Sequence, residues 1–575
     1  MRRSYIFYVV TFILGAVVLP NHSQAASLEY AYLIQGDPAN NAVILRYGSL
    51  ENKPYYSCSL DTFNCTNEGT TAPAVTALAS TNTETVTTSD PFDVLAGIER
   101  VSYRGVSPDG KWVYYYQYST PSDINSHFIL YDTKTKGTSE TTENNSKDWD
   151  LLTEENRLFS VSPDSKTLVY LDNRDGANAL YQVNLARPSK NMMLGTRITK
   201  LSYTVADFVF LDSHTILFMA NRENPEIWNL YRYNLTTGDI IQVAGNTSYG
   251  DAMIKLGNNV TFLQMKGNAV VPVVYNYISR TVTQFNLPQT SGIEAVNNPY
   301  QLVQYGDVWG VLLKPITVST TAAKLPDEAS PLIIWLHGGP YRDIGPTIQS
   351  YLSYGVYDWS LEEARRNGAV VLKIDYTGSY GHGKAFAEGL KDEAGVADVA
   401  DVVTALKGVK KTLGSNYPIS GVYVVGNSYG GYLALKSIVA HPSLFNGAYS
   451  INGVTDWPTL LNSLQTSIFN VYFGGLPTLA NSKYYAQADI IDSVSSLTTA
   501  NKIMLVQAQS DTTIDPAQAD FLDQQLIAKG KNVQEIKIPN EDHVFYLDSS
   551  IQTICNSLIT FVGLTPNDPA RCDYN

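Results

Sequence analysis

The sequence predicts two domains of different class: an N-terminal all-β propeller, and a C-terminal α/β domain built on a mostly parallel, doubly wound sheet. Three observations predict this. A four-strand unit recurs through the first half at a spacing of about 45–50 residues, the rhythm of propeller blades. In the second half, unbroken apolar runs alternate with amphipathic helical stretches, the pattern of a parallel sheet covered on both faces. The length of 575 residues leaves room for two cores of this size.

The first element is not part of either domain. Arg2 and Arg3 precede an almost wholly apolar run over 5–19, and Pro20 ends it. Ser23 and Ala25 place small residues at −3 and −1 of a cleavage point before Ala26. The run is shorter than the ~20 residues a membrane span needs, so 1–25 reads as a secretory signal peptide, with an uncleaved anchor as the alternative. Secreted or periplasmic localisation follows, with no membrane association after cleavage. Export also gives the four cysteines an oxidising compartment, in which Cys58 pairs with Cys65 and Cys555 with Cys572. The first bridge would clip a hairpin, and the second would tie the C-terminal tail to the last helix. A hydrophobic fraction of 44% excludes a mainly disordered chain, and a net charge of −14 argues against nucleic-acid binding.

The propeller is placed over 26–295. Val106-Ser107-Pro108-Asp109-Gly110-Lys111 precedes the strand that begins Trp112-Val113-Tyr114, and Val161-Ser162-Pro163-Asp164-Ser165-Lys166 precedes Leu168-Val169-Tyr170-Leu171. Pro fixes φ, Asp caps the turn, and Gly accepts positive φ. Further copies run over 208–238 and from about 253 to 282, and the spacing allows five to seven blades.

The α/β domain is placed over 296–575, with 315–330 as the linker into its first strand. Strands are expected over 332–337, 369–376, 422–426, 447–452, 502–507 and 533–538. Helices are expected over 361–366, 396–409, 429–440, 516–529 and 549–562.

Gly426-Asn427-Ser428-Tyr429-Gly430 lies between a strand and a helix. That context makes the G-x-S-x-G pattern a nucleophile elbow, a turn so sharp that only small residues fit beside the serine. A hydroxyl needs a base. Of the seven histidines only His441 and His543 follow Ser428. His441 reads as the end of the nucleophile's own helix, and His543, in the loop after the last strand, is the base. The acid belongs after the preceding strand, where Asp511 is chosen over Asp515, which reads as a helix cap, and over Asp542, which adjoins the histidine. The oxyanion donors are the N–H of Tyr429 and, from the loop Leu336-His337-Gly338-Gly339-Pro340, the N–H of Gly339. Gly378-Ser379-Tyr380-Gly381-His382-Gly383 imitates a phosphate loop but lacks its spacing and its lysine.

These residues resemble the prolyl oligopeptidase family of serine peptidases over essentially the whole mature chain. His337–Pro340 is similar to the family's HGGP segment, Asp375–Gly381 to N-Y-R-G-S-x-G with Thr377 in place of Arg, and Gly426–Tyr432 to G-x-S-Y-G-G-Y. Val454-Thr455-Asp456-Trp457 resembles the V-T-D-W of the acylaminoacyl-peptidase and dipeptidyl-peptidase branches. The resemblance implies a propeller capping an α/β-hydrolase domain, a Ser428–His543–Asp511 triad and Trp457 as a substrate-binding residue. It also implies short peptides as substrates, and no cofactor or metal. Glu154-Glu155 is similar to the glutamate pair with which one branch grips a free N-terminal amine; a solvated inter-blade loop is the other reading of those residues. Gln507-Ala508 replaces the usual His-Gly before the acid, and Pro458–Leu461 replaces tyrosines of a proline pocket. A secreted carboxylesterase on the same triad and a catalytically inactive propeller-based binding protein are the alternative functions. P1 preference, the choice among endo-, dipeptidyl- and acylaminoacyl cleavage, and the oligomeric state, a homo-oligomer included, stay open.

Overall fold

Two serine hydroxyls build the repeat visible in the sequence. Ser107 Oγ donates to Asp109 (2.6 Å) and accepts the N–H of Trp112 (2.9 Å), closing the Pro-Asp-Gly turn onto the strand that follows. Ser162 repeats this with Asp164 (2.7 Å) and the N–H of Thr167 (2.9 Å). Ser165 replaces the turn glycine at φ 58° and accepts the N–H of Asp109, so it stitches two adjacent units together.

The computed structural model describes residues 30–48, 54–70, 101–118, 126–140, 159–186, 195–247, 253–266, 269–287, 300–315, 329–343, 355–464, 468–566 and 572. The predicted signal peptide and Glu154-Glu155 lie outside these residues. Among the described residues the propeller consists of five four-stranded antiparallel blades, at 30–69, 101–140, 159–197, 205–244 and 254–284. Val43, Leu45, Tyr56 and Cys58 of the first blade share one core with Leu263, Val274 and Phe285 of the last. The N–H of Asn286 also donates to Phe63 (2.7 Å), so first and last blades are neighbours. Cys58 and Cys65 face each other across the third and fourth strands of the first blade and are disulfide-bonded.

The α/β domain holds one eight-stranded sheet. In spatial order its strands are Tyr300–Tyr305, Val308–Leu313, Val370–Asp375, Ser330–Leu336, Ile419–Asn427, Gly447–Ile451, Lys502–Ala508 and Asn532–Ile538. The last six are parallel, and the first two join as an antiparallel hairpin. The sequence reading starts this sheet at 332 and misses the hairpin. Its strands are short, the first largely exposed, and they turn on Gly306 at φ 69°, so they read like one more pair of blade strands.

Helices Ala397–Leu413, Tyr429–Ala440 and Ala517–Ala528 cover one face of the sheet, while Gly355–Arg366 and Asp548–Phe561 cover the other. Ser330–Leu336 is buried at every position, which explains its unbroken apolar run. Cys572 is bonded to Cys555 of the last helix. No helix among the described residues is long and apolar enough to cross a membrane.

Candidate active site

Strand Ile419–Asn427 runs straight into helix Tyr429–Ala440 with Ser428 alone between them. Ser428 therefore takes φ 55°, a conformation that L side chains rarely adopt. Its neighbours have no room for a Cβ. At Gly426 one would meet Gly430 O at 2.4 Å, and at Gly430 it would meet Leu336 O at 2.0 Å. The glycines are dictated by backbone packing, and the outcome is a hydroxyl held clear of the sheet at a helix N-terminus.

The structure brings the three predicted residues together. His543 Nε2 lies 3.0 Å from Ser428 Oγ, and His543 Nδ1 lies 2.8 Å from Asp511 Oδ2. A carboxylate only accepts, so Nδ1 carries the proton and Nε2 is left to accept from the serine. Asp511 Oδ1 accepts the N–H groups of Thr513 and Ile514, each at 2.8 Å, and its side chain is buried. Gln507 Nε2 reaches Asp511 Oδ2 at 3.4 Å from the position where the resemblance expected histidine. The rejected acids have other work. Asp515 accepts the N–H of Ala517 at the next helix, and Asp542 accepts from Thr512 and from the backbone of His543. His441 caps the end of the nucleophile helix.

The N–H of Tyr429 heads that helix and has no intrahelical acceptor. Gly338 N–H is already given to Asn427 Oδ1 (3.1 Å), and Gly339 follows it at φ 47°. His337 is buried beneath this loop, its ring stacked on Tyr376 and its Nε2 2.9 Å from Ser379 Oγ. Tyr376 OH donates to His337 O (2.7 Å). Trp457 is buried at the start of helix Trp457–Leu464, its ring packed against Tyr429, Tyr432, Phe469 and Phe473.

Sequence reading missed three supporting residues. Asn427 is the variable residue of the G-x-S-x-G pattern, so only its fold reveals its task. Asn452, at φ 46°, accepts the N–H of Ala508 (2.8 Å) and donates to His543 O (3.0 Å), tying the acid and base loops together. Asp398, fully buried, accepts the Tyr429 hydroxyl (2.7 Å). Burial pushes the Asp398 carboxyl up to about 6 and the Tyr429 phenol far above its usual range.

Residues 356–563 match the model of the prolyl oligopeptidase family, and residues 74–271 match that of the dipeptidyl peptidase IV N-terminal region. The chain is 26% identical over 225 residues to dipeptidyl aminopeptidase BIII of Pseudoxanthomonas mexicana, covering 38% of this chain and 31% of that one. It is 35% identical over 161 residues to acylamino-acid-releasing enzyme 1 of rice, covering 25% and 19%. The matched segments thus span less than a third of these relatives. Among solved structures, a Mycobacterium tuberculosis puromycin-hydrolyzing peptidase superposes with a TM-score of 0.66 at 16% identity, over 93% of this chain and 78% of that one. Porphyromonas gingivalis dipeptidyl peptidase 4 gives 0.63 at 14%, over 94% and 71%.

Proposed function

We propose that this chain, which belongs to the prolyl oligopeptidase family, is an exported serine peptidase that cleaves short peptides through an acyl-enzyme on Ser428. The observation that carries this is the unbroken line from Ser428 Oγ to His543 (3.0 Å) to Asp511 (2.8 Å), drawn from three loops at the carboxyl ends of parallel strands.

His543 takes the Ser428 proton as Oγ attacks the scissile carbonyl. The N–H groups of Tyr429 and Gly339 hold the oxyanion. Asp511 fixes the tautomer of His543 and supports the imidazolium, which then protonates the leaving amine. Water attacks the acyl-enzyme by the same route in reverse. The propeller stands over this end of the sheet and would restrict entry to short or unfolded chains. Trp457 and its aromatic neighbours are proposed as a wall of the substrate site.

The test uses a fluorophosphonate probe with wild type and Ser428→Ala, followed by two chromogenic amide series. Labelling and turnover that vanish together in Ser428→Ala support the proposal. A folded wild type that is not labelled refutes it and revives the inactive binding protein. Esters cleaved with no amide cleavage would make the chain a carboxylesterase. One amide series carries a free N-terminal amine on a dipeptide and the other a blocked amino acid. Preference for the free amine would put Glu154-Glu155 forward as its anchor, whereas preference for the blocked series would return them to a solvated loop.

A further inference from the structure

We propose that Glu226, Asp375 and His382 form a binding site for one divalent transition cation, of the zinc type, at the seam between propeller and α/β domain. Glu226 lies in the turn between blade strands Thr215–Asn224 and Ile227–Asn234. Asp375 ends strand Val370–Asp375, and His382 lies in the loop just beyond it. Asp375 and His382 lie seven residues apart, but Glu226 comes from the other domain, which is why no ligand spacing announced the set.

His382 Nε2 is 3.2 Å from Asp375 Oδ2 and 3.7 Å from Glu226 Oε1. One donor atom from each residue lies within 4.8 Å of the other two. Zinc bound at 2.0–2.2 Å in a tetrahedral shell separates its ligands by ~3.4 Å, so the widest pair has at most about 1.4 Å to close. The donor set of two carboxylates and one imidazole suits such a cation, and a fourth position remains for water.

The surroundings argue for a ligand. All three side chains are buried, and Glu226 Oε1, aimed at His382, has no hydrogen-bond partner. Trp309 and Phe386 pack their rings against His382 and keep the donors dry. Two carboxylates this close and out of water either share a proton or take counter-charge, and a divalent cation supplies the second. Asp375 Oδ1 faces His337 Nε2 at 3.4 Å, while Oδ2 faces His382 Nε2. Because the ligands come from both domains, the cation would staple one to the other.

The test uses the full mature chain, stripped with a chelator, equilibrated with Zn²⁺ or Mg²⁺ and desalted. Elemental analysis should find about one zinc per wild-type chain and no magnesium, since Mg²⁺ prefers an all-oxygen shell. Glu226→Gln and His382→Gln should each lose most of that zinc, and Zn²⁺ should raise the melting temperature of wild type but not of the variants. Wild type that retains no zinc overturns the proposal. So does zinc retained equally by Glu226→Gln, which would place it elsewhere, for example on His543. If neither variant folds, zinc-edge absorption on wild type decides. One imidazole with two or three oxygens at 2.0–2.2 Å supports the site, and a shell without imidazole overturns it.

Discussion

Gly430→Ala should cripple the oxyanion hole while leaving the triad in place. A Cβ at Gly430 would lie 2.0 Å from Leu336 O and 2.5 Å from His337 O. A carbon and a carbonyl oxygen rest at about 3.3–3.6 Å, so the helix and the loop must part by more than about 1 Å. No side chain can absorb this, because both obstacles are backbone. The strand carrying Leu336 is held in parallel register from both sides, by Val370–Asp375 and Ile419–Asn427. The displacement therefore falls between the Tyr429 N–H, one residue before Gly430, and the Gly339 N–H, two residues after His337. Losing one oxyanion donor costs ~10²–10³ in rate, and we expect Gly430→Ala to slow Ser428 labelling by a fluorophosphonate by at least ~10²-fold.

Labelling rate is the right assay, because it reads nucleophile and oxyanion hole without assuming a substrate. Overpacking of this kind costs about 1–3 kcal/mol, so the variant should melt lower but remain folded, as circular dichroism would verify. Gly431→Ala is the control. Its Cβ would meet Ser450 Oγ at 2.8 Å and Gly453 Cα at 2.9 Å, on the side away from the oxyanion loop. It should lower stability comparably and slow labelling far less. A folded Gly430→Ala that labels at the wild-type rate would refute the placement of the oxyanion hole between Gly339 and Tyr429.

Asp398→Asn tests the buried carboxyl beneath Tyr429. Its folded pKa of about 6 exceeds the ordinary 3.8, so wild-type stability falls as pH rises between those values, by about 3 kcal/mol for the full shift. Asn is neutral throughout, so urea melts should show the variant gaining on wild type from pH 4 to 7; a pH-independent difference would refute the assignment. Trp228→Phe keeps the stack on Tyr380 but removes the 2.8 Å bond from Nε1 to buried Asp343, a loss of about 1.5–3 kcal/mol by thermal or denaturant melt. Adding Asp343→Asn should recover part of it, and no recovery would mean that the charge is not what Trp228 serves. Cys572→Ser opens a bridge spanning 17 residues and should cost about 3 kcal/mol under non-reducing conditions, with faster amide exchange at the end of helix Asp548–Phe561.

What the sequence made legible follows from how local each signal is. The nucleophile helix is found at 429–440, as expected, because glycines and serine at fixed spacing admit one backbone path. Ser428, His543 and Asp511 could be named because chain order and strand ends leave few candidates. The pairing of Cys58 with Cys65 followed from proximity along the chain. Asn427, Asn452 and Asp398 could not be named, since each acts by reaching a backbone or hydroxyl that only the fold brings near. The hairpin at 300–313 escaped because its alternation is that of a blade strand, and only its pairing with Val370–Asp375 assigns it to the second domain.

The two halves of the site rest on different supports. Acid and base are tied within the α/β domain, through Asn452 and through the N–H of Ser510, which donates to Glu541 O (3.0 Å). The oxyanion loop instead leans on His337, His337 leans on Ser379, and the loop that follows Ser379 is gripped by the propeller. Asn221 Nδ2 donates to Gly381 O (2.7 Å), the N–H of Lys384 donates to Gly176 O (2.8 Å), and Trp228 stacks on Tyr380. A change in propeller docking thus reaches the oxyanion donors before it reaches the Ser428–His543–Asp511 line. Trp228 Nε1 also donates to Asp343 (2.8 Å), four residues beyond Gly339, so Trp228→Phe is expected to slow Ser428 labelling as well as lower the melting point. A variant that melts lower but labels at the wild-type rate would show that the propeller holds this loop for stability alone.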